Sequence, residues 1–571
     1  MREKIIKFIE ENNLSLFERE NIRSSNQSIF KTKDAKGIHQ KTLNLVSRNF
    51  RLENTKQILK LFEDNNSEKD IEKKQKFFLE LNSFENSRFN KLKKRNPSWK
   101  APYDSVVVTE DESTLVKLKE EGCSVVFVNQ QSDIFDLDRY DLVRYIDCEN
   151  FDNLIERISQ AIPISKIQEA SLEKNLVELS SWIDNLEILK SSKNTEEINQ
   201  ILEELEPLLE MLEFEEEEVL DVRDIEDLTK EINDKIMTKI REMTLSGESV
   251  VSLLTEGIPK EIQDILEREL KNSNLPREIF LDTIPIKLDD KEVWNFIKKQ
   301  STRNYLNFAS NLKKEYDSIK NIPSLLKRLE REIIYQDFIS GISTFRSELN
   351  FFPKISSELK INLSKNLFLN NPQPISFELT QNERCSILTG ANSGGKTTLL
   401  EHLIQLVSLT QLGLPVSGEL TIPLFSEVYY FAKNKGSISR GAFETLLTQM
   451  SEIKPGERTL ILADEIEAVT EPGVAGEIIV STAEYFIEQN CFLVVATHLG
   501  QEVQKLLPPK SRIDGIEATG LTENYELIVN HNPVLGKLAN STPELIIEKM
   551  AKAQQKPYLE WLFENLRKRK N

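Results

Sequence analysis

Gly390-Ala391-Asn392-Ser393-Gly394-Gly395-Lys396-Thr397-Thr398 fits G-x-x-x-x-G-K-[ST], the P-loop. The pattern carries a mechanism. Backbone N–H groups of such a loop wrap a phosphate chain, the lysine reaches the outer phosphates and the following hydroxyl holds Mg²⁺. The chain has only 19 glycines in 571 residues, yet three of them fall in positions 390–395, so a glycine-rich composition does not explain the cluster. The flanks agree. Glu383-Arg384-Cys385-Ser386-Ile387-Leu388 reads as a short buried strand. Lys396 to Leu412 reads as a helix, with Leu399, Leu400, Leu403, Ile404, Leu406 and Val407 at helical spacing and Gly413 and Pro415 ending it. A helix starting there aims its partial positive charge at the phosphates.

Some seventy residues on, Arg458-Thr459-Leu460-Ile461-Leu462-Ala463 reads as an apolar strand ending in Asp464-Glu465, a Walker B pattern. Asp464 is expected to hold Mg²⁺ beside Thr397, directly or through water, and Glu465 to polarise an attacking water. Two acids at the end of a buried strand are costly without such a role. A third apolar strand, Cys491 to Ala496, ends in Thr497-His498, and His498 is expected near the outer phosphate. Of the other histidines, His402 is expected on the surface of the P-loop helix.

The formal charge of −19 and pI near 5.1 argue against a globally basic nucleic-acid coat but leave room for local basic patches. Four scattered cysteines without C-x-x-C spacing suggest neither a zinc site nor a disulfide framework, as suits a reducing cytosol. The N-terminus lacks a signal-peptide pattern, and no apolar stretch is long enough to span a membrane.

The expected organisation has five parts. Residues 1–100 are mostly helical and end in the basic stretch Arg88-Phe89-Asn90-Lys91-Leu92-Lys93-Lys94-Arg95-Asn96-Pro97-Ser98-Trp99-Lys100. Its interleaved cations and aromatics suit either a nucleic-acid backbone with base stacking or a solvated linker. Residues 101–150 form a small α/β segment with strands at 105–109, 123–128 and 142–146. Residues 151–360 are helical, with heptad-like Leu and Ile repeats from Ile164 to Ile240 and acidic runs at Glu215–Glu218 and Asp221–Asp227 that read as solvated faces. Residues 361–545 carry the α/β P-loop NTPase pattern of apolar strands buried on both faces, with a late strand over Tyr525–Val529. Residues 546–571 are a C-terminal helix and basic tail.

Thr389 to Thr398 resembles the nucleotide loop of the MutS family of mismatch-repair ATPases, T-G-P-N-x-G-G-K-S-T. Gln411-Leu412-Gly413-Leu414-Pro415-Val416, Asp464-Glu465-Ile466 and Ala496-Thr497-His498 match later strings of that family in order and spacing. The likeness covers roughly residues 360–550. The helical region before it fits the family's lever and clamp by order alone.

The resemblance implies ATP and Mg²⁺ as cofactors, with ATP bound by Gly390, Ala391, Asn392, Ser393, Gly394, Gly395, Lys396, Thr397 and Thr398. It implies metal held by Thr397 and Asp464, and Glu465 and His498 as catalytic residues. It also implies a homodimer whose composite ATPase sites are each completed by the other copy's signature segment, here Ser437-Ile438-Ser439-Arg440-Gly441-Ala442-Phe443-Glu444. Gly441 stands where the family usually has serine, and Glu467–Gly473 departs from the family's usual loop. The loop departure resembles a short archaeal-type branch of the family described as DNA-binding, without the mismatch-reading and small nuclease domains. Phe-x-Glu strings recur at Phe8, Phe78 and Phe425, none in the family's glycine-led context. The implied partner is DNA, held mostly by its backbone with weak sequence specificity. No membrane is implied. The implied location is the cytoplasm, at the nucleoid when DNA-bound. The alternatives are an ABC- or SMC-like structural ATPase, whose L-S-G-G-[QK] signature does not occur here, and a nucleotide-gated clamp that does not hydrolyse.

Overall fold

Five parallel strands buried on both faces carry the P-loop. Their order is Glu427–Phe431, Thr459–Asp464, Phe492–Ala496, Cys385–Gly390 and Ser511–Ile516. The computed structural model describes the chain apart from residues 19–27, 64–66, 82–87, 214–219, 243–257, 350, 391–394, 433–439, 466–471, 522–526, 540–541, 555 and 571. The described chain divides into two compact units: Met1–Leu92 with Ser191–Thr195 and Glu330–Asn571, and Lys93–Lys190 with Glu196–Leu329.

In the first unit, Ile387, Tyr429, Ile461, Leu493 and Val495 from one face of the sheet pack against Ile479, Ala483 and Phe486 of the helix Pro472–Glu488. The P-loop helix, Lys396–Leu412, is buried nearly all round. Gly413 ends it with φ 73°, a left-handed conformation that glycine adopts without a Cβ penalty. A second sheet, in the order Lys354–Ile355, Glu419–Ile422, Leu359–Ser364, Ile375–Leu379, precedes and follows the P-loop elements in sequence.

The N-terminal region belongs to this unit. Phe30 bridges Val428 in parallel, with Lys31 N donating to Val428 O at 2.9 Å, so residues 29–31 extend the sheet beyond Glu427–Phe431. The Thr32 hydroxyl donates to Tyr430 O at 2.8 Å and accepts from Ala35 N, capping the helix Lys33–Ser47. That helix covers the P-loop helix, and His39 Nδ1 lies 3.1 Å from Ser408 Oγ. Asp337, buried on the helix Ile322–Ser347, accepts from Arg51 N and Leu52 N at 3.0 Å and from Thr55 Oγ1 at 2.6 Å.

Gly341 on the same helix meets Phe50 closely. A Cβ there would stand 2.3 Å from Phe50 Cδ1 and 3.0 Å from Asn49 O. Alanine gains about 1 kcal/mol of helix propensity. Overpacking costs about 1–3 kcal/mol, and a contact this short lies at the upper end. Gly341→Ala is therefore expected to lower the urea midpoint with an unchanged m-value. A raised midpoint would show that the ring moves freely.

The second unit holds a four-stranded parallel sheet in the order Val125–Phe127, Ser105–Thr109, Leu142–Tyr145, Ala161–Pro163. Three strands lie where sequence patterning predicts them. The fourth, Ala161–Pro163, has too few residues to show an alternation. Arg144 is buried with Glu173 as its ion-pair partner, and Tyr103 OH donates to the same carboxylate at 2.5 Å. The heptad-like stretch from Ile164 to Ile240 is not continuous. It forms helices at Leu172–Ser180, Ile183–Lys190, Glu196–Leu209 and Val222–Glu242. Ile225, Ile232 and Ile236 of the last pack with Leu266 and Leu270 of Lys260–Asn272. Among the described residues the longest helix lying wholly within this unit is Asp290–Lys314, with 25 residues.

The aromatics of the basic stretch 88–100 are not displayed for stacking. Phe89 is fully buried, and the Trp99 ring lies 6.3 Å from Phe308. Lys93 pairs with Asp184 at 2.8 Å, and the Arg95 guanidinium sits over Trp182. The acidic run Glu215–Glu218 lies outside the described residues. Among the described residues no helix is long and apolar enough to cross a membrane, and all four cysteines are free thiols.

Candidate nucleotide site

The C-terminal ends of three adjacent strands meet at one place. The strand Phe492–Ala496 lies between the Walker B strand and the P-loop strand, with Glu465 N donating to Ala496 O and Thr497 N to Leu388 O, both at 2.9 Å. The sequence order, with the P-loop first, does not reveal this interleaving. Its consequence is that Thr497-His498 emerges between the loop and the acids.

The Thr397 hydroxyl donates to Asp464 Oδ2 at 2.6 Å. Lys396 is buried, and its ammonium donates to Gly390 O at 2.7 Å, across the mouth of the loop. Glu465 has φ 50°, the left-handed region that costs a non-glycine residue roughly 1–2 kcal/mol. That twist carries its nearly buried carboxylate to His498 Nε2 at 2.6 Å. Thr497 Oγ1 accepts from Leu499 N at 3.0 Å, fixing the turn that holds His498.

The site residues fit a magnesium nucleotide. Thr397 and Asp464 offer hydroxyl and carboxylate oxygens, the hard donors Mg²⁺ takes. Both described ends of the loop leave no room for side chains. Gly390 has φ 137°, and a Cβ on it would lie 2.4 Å from Ile516 O. Gly395 has φ 92°, and its Cβ would lie 2.8 Å from His531 Nδ1. Ala391, Asn392, Ser393 and Gly394 lie outside the described residues. So do Ser437–Ser439 of the signature segment and most of the loop after Glu465. From Arg440 onward the signature segment is the first turn of the helix Arg440–Ser451.

Sequence patterning misses one wall of the site. A cavity of about 80 Å³ opens beside the start of the P-loop helix, lined by Asn366, Leu369, Pro372, Ile375, Leu399 and His531. Gln373 links the two sides, with His531 N donating to its Oε1 at 3.1 Å and its Nε2 to Asn530 Oδ1 at 2.8 Å. These residues come from two loops far apart in sequence, and neither loop carries a motif.

His402 corrects an expectation. It is 1% exposed rather than on the helix surface. Its Nε2 lies 3.0 Å from Ser364 Oγ and its Nδ1 3.2 Å from Gln405 Oε1. The hairpin Leu359–Leu379 covers this face, which helical periodicity alone assigns to solvent. Burial pushes the imidazole pKa down to about 4. The unfolded chain therefore binds a proton below about pH 6.5 that the folded chain refuses until about pH 4. Across that window stability falls with falling pH by about 1.4 kcal/mol per unit. Unfolding of the wild type and His402→Gln between pH 7 and 4 checks this, and the variant is expected to lose that share of the slope.

Comparison with known proteins finds relatives over part of the chain. No family model matches the chain. The "DNA-binding protein MutS2" of Pyrococcus furiosus is 33% identical over 362 residues, covering 57% of this chain and 63% of that protein. Over this span the chain is similar to a protein of the MutS family. Two bacterial proteins named "Endonuclease MutS2" are further relatives. The one from Lactobacillus acidophilus is 28% identical over 214 residues, and that from Borreliella burgdorferi 28% over 212 residues. The match covers 26% of each. The chain thus spans less than two thirds of each of these relatives.

Proposed function

We propose that this chain is an ATP-dependent DNA-binding protein of the MutS type that hydrolyses ATP. The observation that carries the reading is the 2.6 Å contact between Thr397 and Asp464 beside the 2.6 Å pair of Glu465 and His498. A metal-holding pair and a water-orienting pair stand at neighbouring strand ends, downstream of a P-loop lysine. In this reading Gly390–Thr398 cradle the phosphates, and the cavity at His531 takes the base. Thr397 and Asp464 hold Mg²⁺, which when bound neutralises charge on the phosphates. Glu465 orients the water and His498 fixes the carboxylate's direction.

The rest follows the family. Two copies form composite sites, each completed by the Ser437–Glu444 segment of a second copy. The helical region grips DNA mostly by its backbone, and opening and closing of the grip track the nucleotide state. The relative's printed name, a DNA-binding protein, supports DNA as partner. The proposed pathway is repair or recombination, in the cytoplasm.

Steady-state ATP turnover with and without duplex and branched DNA, at low and moderate salt, tests the reading. Stimulation by DNA that fades with salt is expected, because backbone contacts release counterions. Robust turnover indifferent to every DNA would overturn the coupling and leave a structural ATPase.

A further inference from the structure

Gly500 stands two residues after His498, at the start of the short helix Gly500–Gln504. A Cβ on it would lie 2.5 Å from Leu538 Cδ1 and 2.7 Å from Thr389 Cγ2. Three segments far apart in sequence therefore meet at one bare α-carbon. Thr389 is the residue before Gly390 on the P-loop strand, and Leu538 lies in the segment that follows His531. The backbone at Gly500 is outside the left-handed region, so space rather than φ excludes a side chain there.

Both partners of Gly500 are held from elsewhere. Thr389 is buried, and its hydroxyl donates to Asp514 O at 3.3 Å and accepts from Ala539 N at 3.2 Å. Ala539 follows Leu538, so the same bond pins Leu538. The segment is tied again where Gly515 N donates to Val534 O at 3.0 Å and Val534 N to Gly515 O at 2.9 Å, and where Gly536 N donates to Asp514 Oδ1 at 2.9 Å. Leu538 also packs with Leu499 against the apolar core of the sheet. The P-loop strand is bonded on both sides, by Phe492–Ala496 and Ser511–Ile516. Of the three segments, the turn between Thr497 and Gly500 has the least to hold it, so it is the part that yields when the contact changes.

We propose that Thr389, Gly500 and Leu538 form a positioning contact that sets where His498 stands relative to the phosphate loop. The inference rests on the nucleotide reading above, in which His498 directs Glu465. The turn is joined to the P-loop strand first by Thr497 N on Leu388 O at 2.9 Å and again at Thr389 and Gly500. Between these two attachments His498 Nε2 reaches Glu465 Oε1 at 2.6 Å. A change of spacing at Gly500 therefore swings His498 about the Thr497 attachment and takes the Glu465 carboxylate out of line, while Lys396 and Thr397 keep their places. Gly500 and Leu538 are positioning residues that act through His498. A displacement of about 1 Å at a reacting group costs on the order of a hundredfold in rate.

The test is single-turnover ATP hydrolysis beside equilibrium ATP binding, on the full chain. Gly500→Ala forces the turn away from Thr389 and Leu538. It is expected to slow hydrolysis by about 10- to 100-fold with ATP affinity nearly unchanged, a split that a loss of stability alone does not produce. The same substitution added to His498→Ala is expected to slow hydrolysis little further, because the residue it acts through is gone. Leu538→Ala opens a gap where Gly500→Ala makes a clash. Leu538 is only half-buried, so this second variant is expected to fold, which circular dichroism checks, and to show the same split more weakly. Wild-type rates in the folded variants, an affinity loss that matches the rate loss, or equal slowing with and without His498 overturns the proposal. A wild-type chain that does not hydrolyse ATP overturns the nucleotide reading itself, and this inference with it, before any variant is compared.

Discussion

Glu465→Gln is expected to reduce ATP turnover by about 10²- to 10⁴-fold, the range in which a positioned acid–base group contributes, while leaving nucleotide affinity nearly unchanged. The argument is geometric. Glu465 is held by its backbone N–H on Ala496 O and by a left-handed φ of 50°, so its side chain is aimed rather than free. An amide keeps the shape and can still bond His498, but it accepts a proton from water far less readily than a carboxylate. The groups proposed to bind the phosphates and metal, Lys396 and Thr397, are untouched. Single-turnover hydrolysis and equilibrium binding of ATP separate the two effects. A slow step with retained affinity is the expected pattern. Turnover equal to wild type would remove Glu465 from the chemistry and with it the hydrolytic reading. Lys396→Ala is expected to fail at the earlier stage, losing affinity itself.

Asp514→Ala is expected to destabilise the first unit by about 3–5 kcal/mol, the cost of removing one partner of a buried ion pair. Asp514 is fully buried on the strand beside the P-loop strand. Its carboxylate accepts from Arg512 Nε at 2.9 Å, from Ser386 Oγ at 2.6 Å and from Gly536 N at 2.9 Å. The alanine would leave the Arg512 charge with Glu383 at 2.8 Å and the Glu378 carbonyl, and Ser386 and Gly536 without this acceptor. Chemical denaturation measures the loss. Replacing both partners with apolar residues, Arg512→Met with Asp514→Leu, is expected to recover much of it, because no uncompensated charge remains. Equal stability of wild type and Asp514→Ala would show that the network contributes nothing net. The segment tethered through Gly536 also carries His531, so nucleotide affinity is expected to fall with stability in the single variant.

This network explains one gap in reading the sequence. Ser511-Arg512-Ile513-Asp514-Gly515-Ile516 contains two charges and so lacks the apolar look of a buried strand, yet it is one, because the charges neutralise each other inside the sheet. The reverse holds for Tyr525–Val529. Its described part, Leu527–Val529, is a strand paired antiparallel with Ala518–Leu521 and outside the five-stranded sheet. At the C-terminus the expected single helix is two, Thr542–Gln554 and Pro557–Lys570, since proline at 557 cannot continue the ladder.

Local structure was legible wherever a motif must be contiguous. The phosphate-loop pattern needs its glycines, lysine and hydroxyl close together in sequence, so residues 390–398 announced the strand before them and the helix that starts among them. Asp464-Glu465 and Thr497-His498 were legible because each is a strand end with polar residues after an apolar run. What only the tertiary structure decided is how these pieces meet. Strand order puts His498 between the P-loop and Asp464, and a left-handed residue turns Glu465 onto it. A hairpin buries His402, and two distant loops bring Asn366 and His531 to the same cavity. None of these leaves a periodicity or a spacing in the chain. They follow from burial and hydrogen-bond pairing between segments that are neighbours only once the sheet has formed.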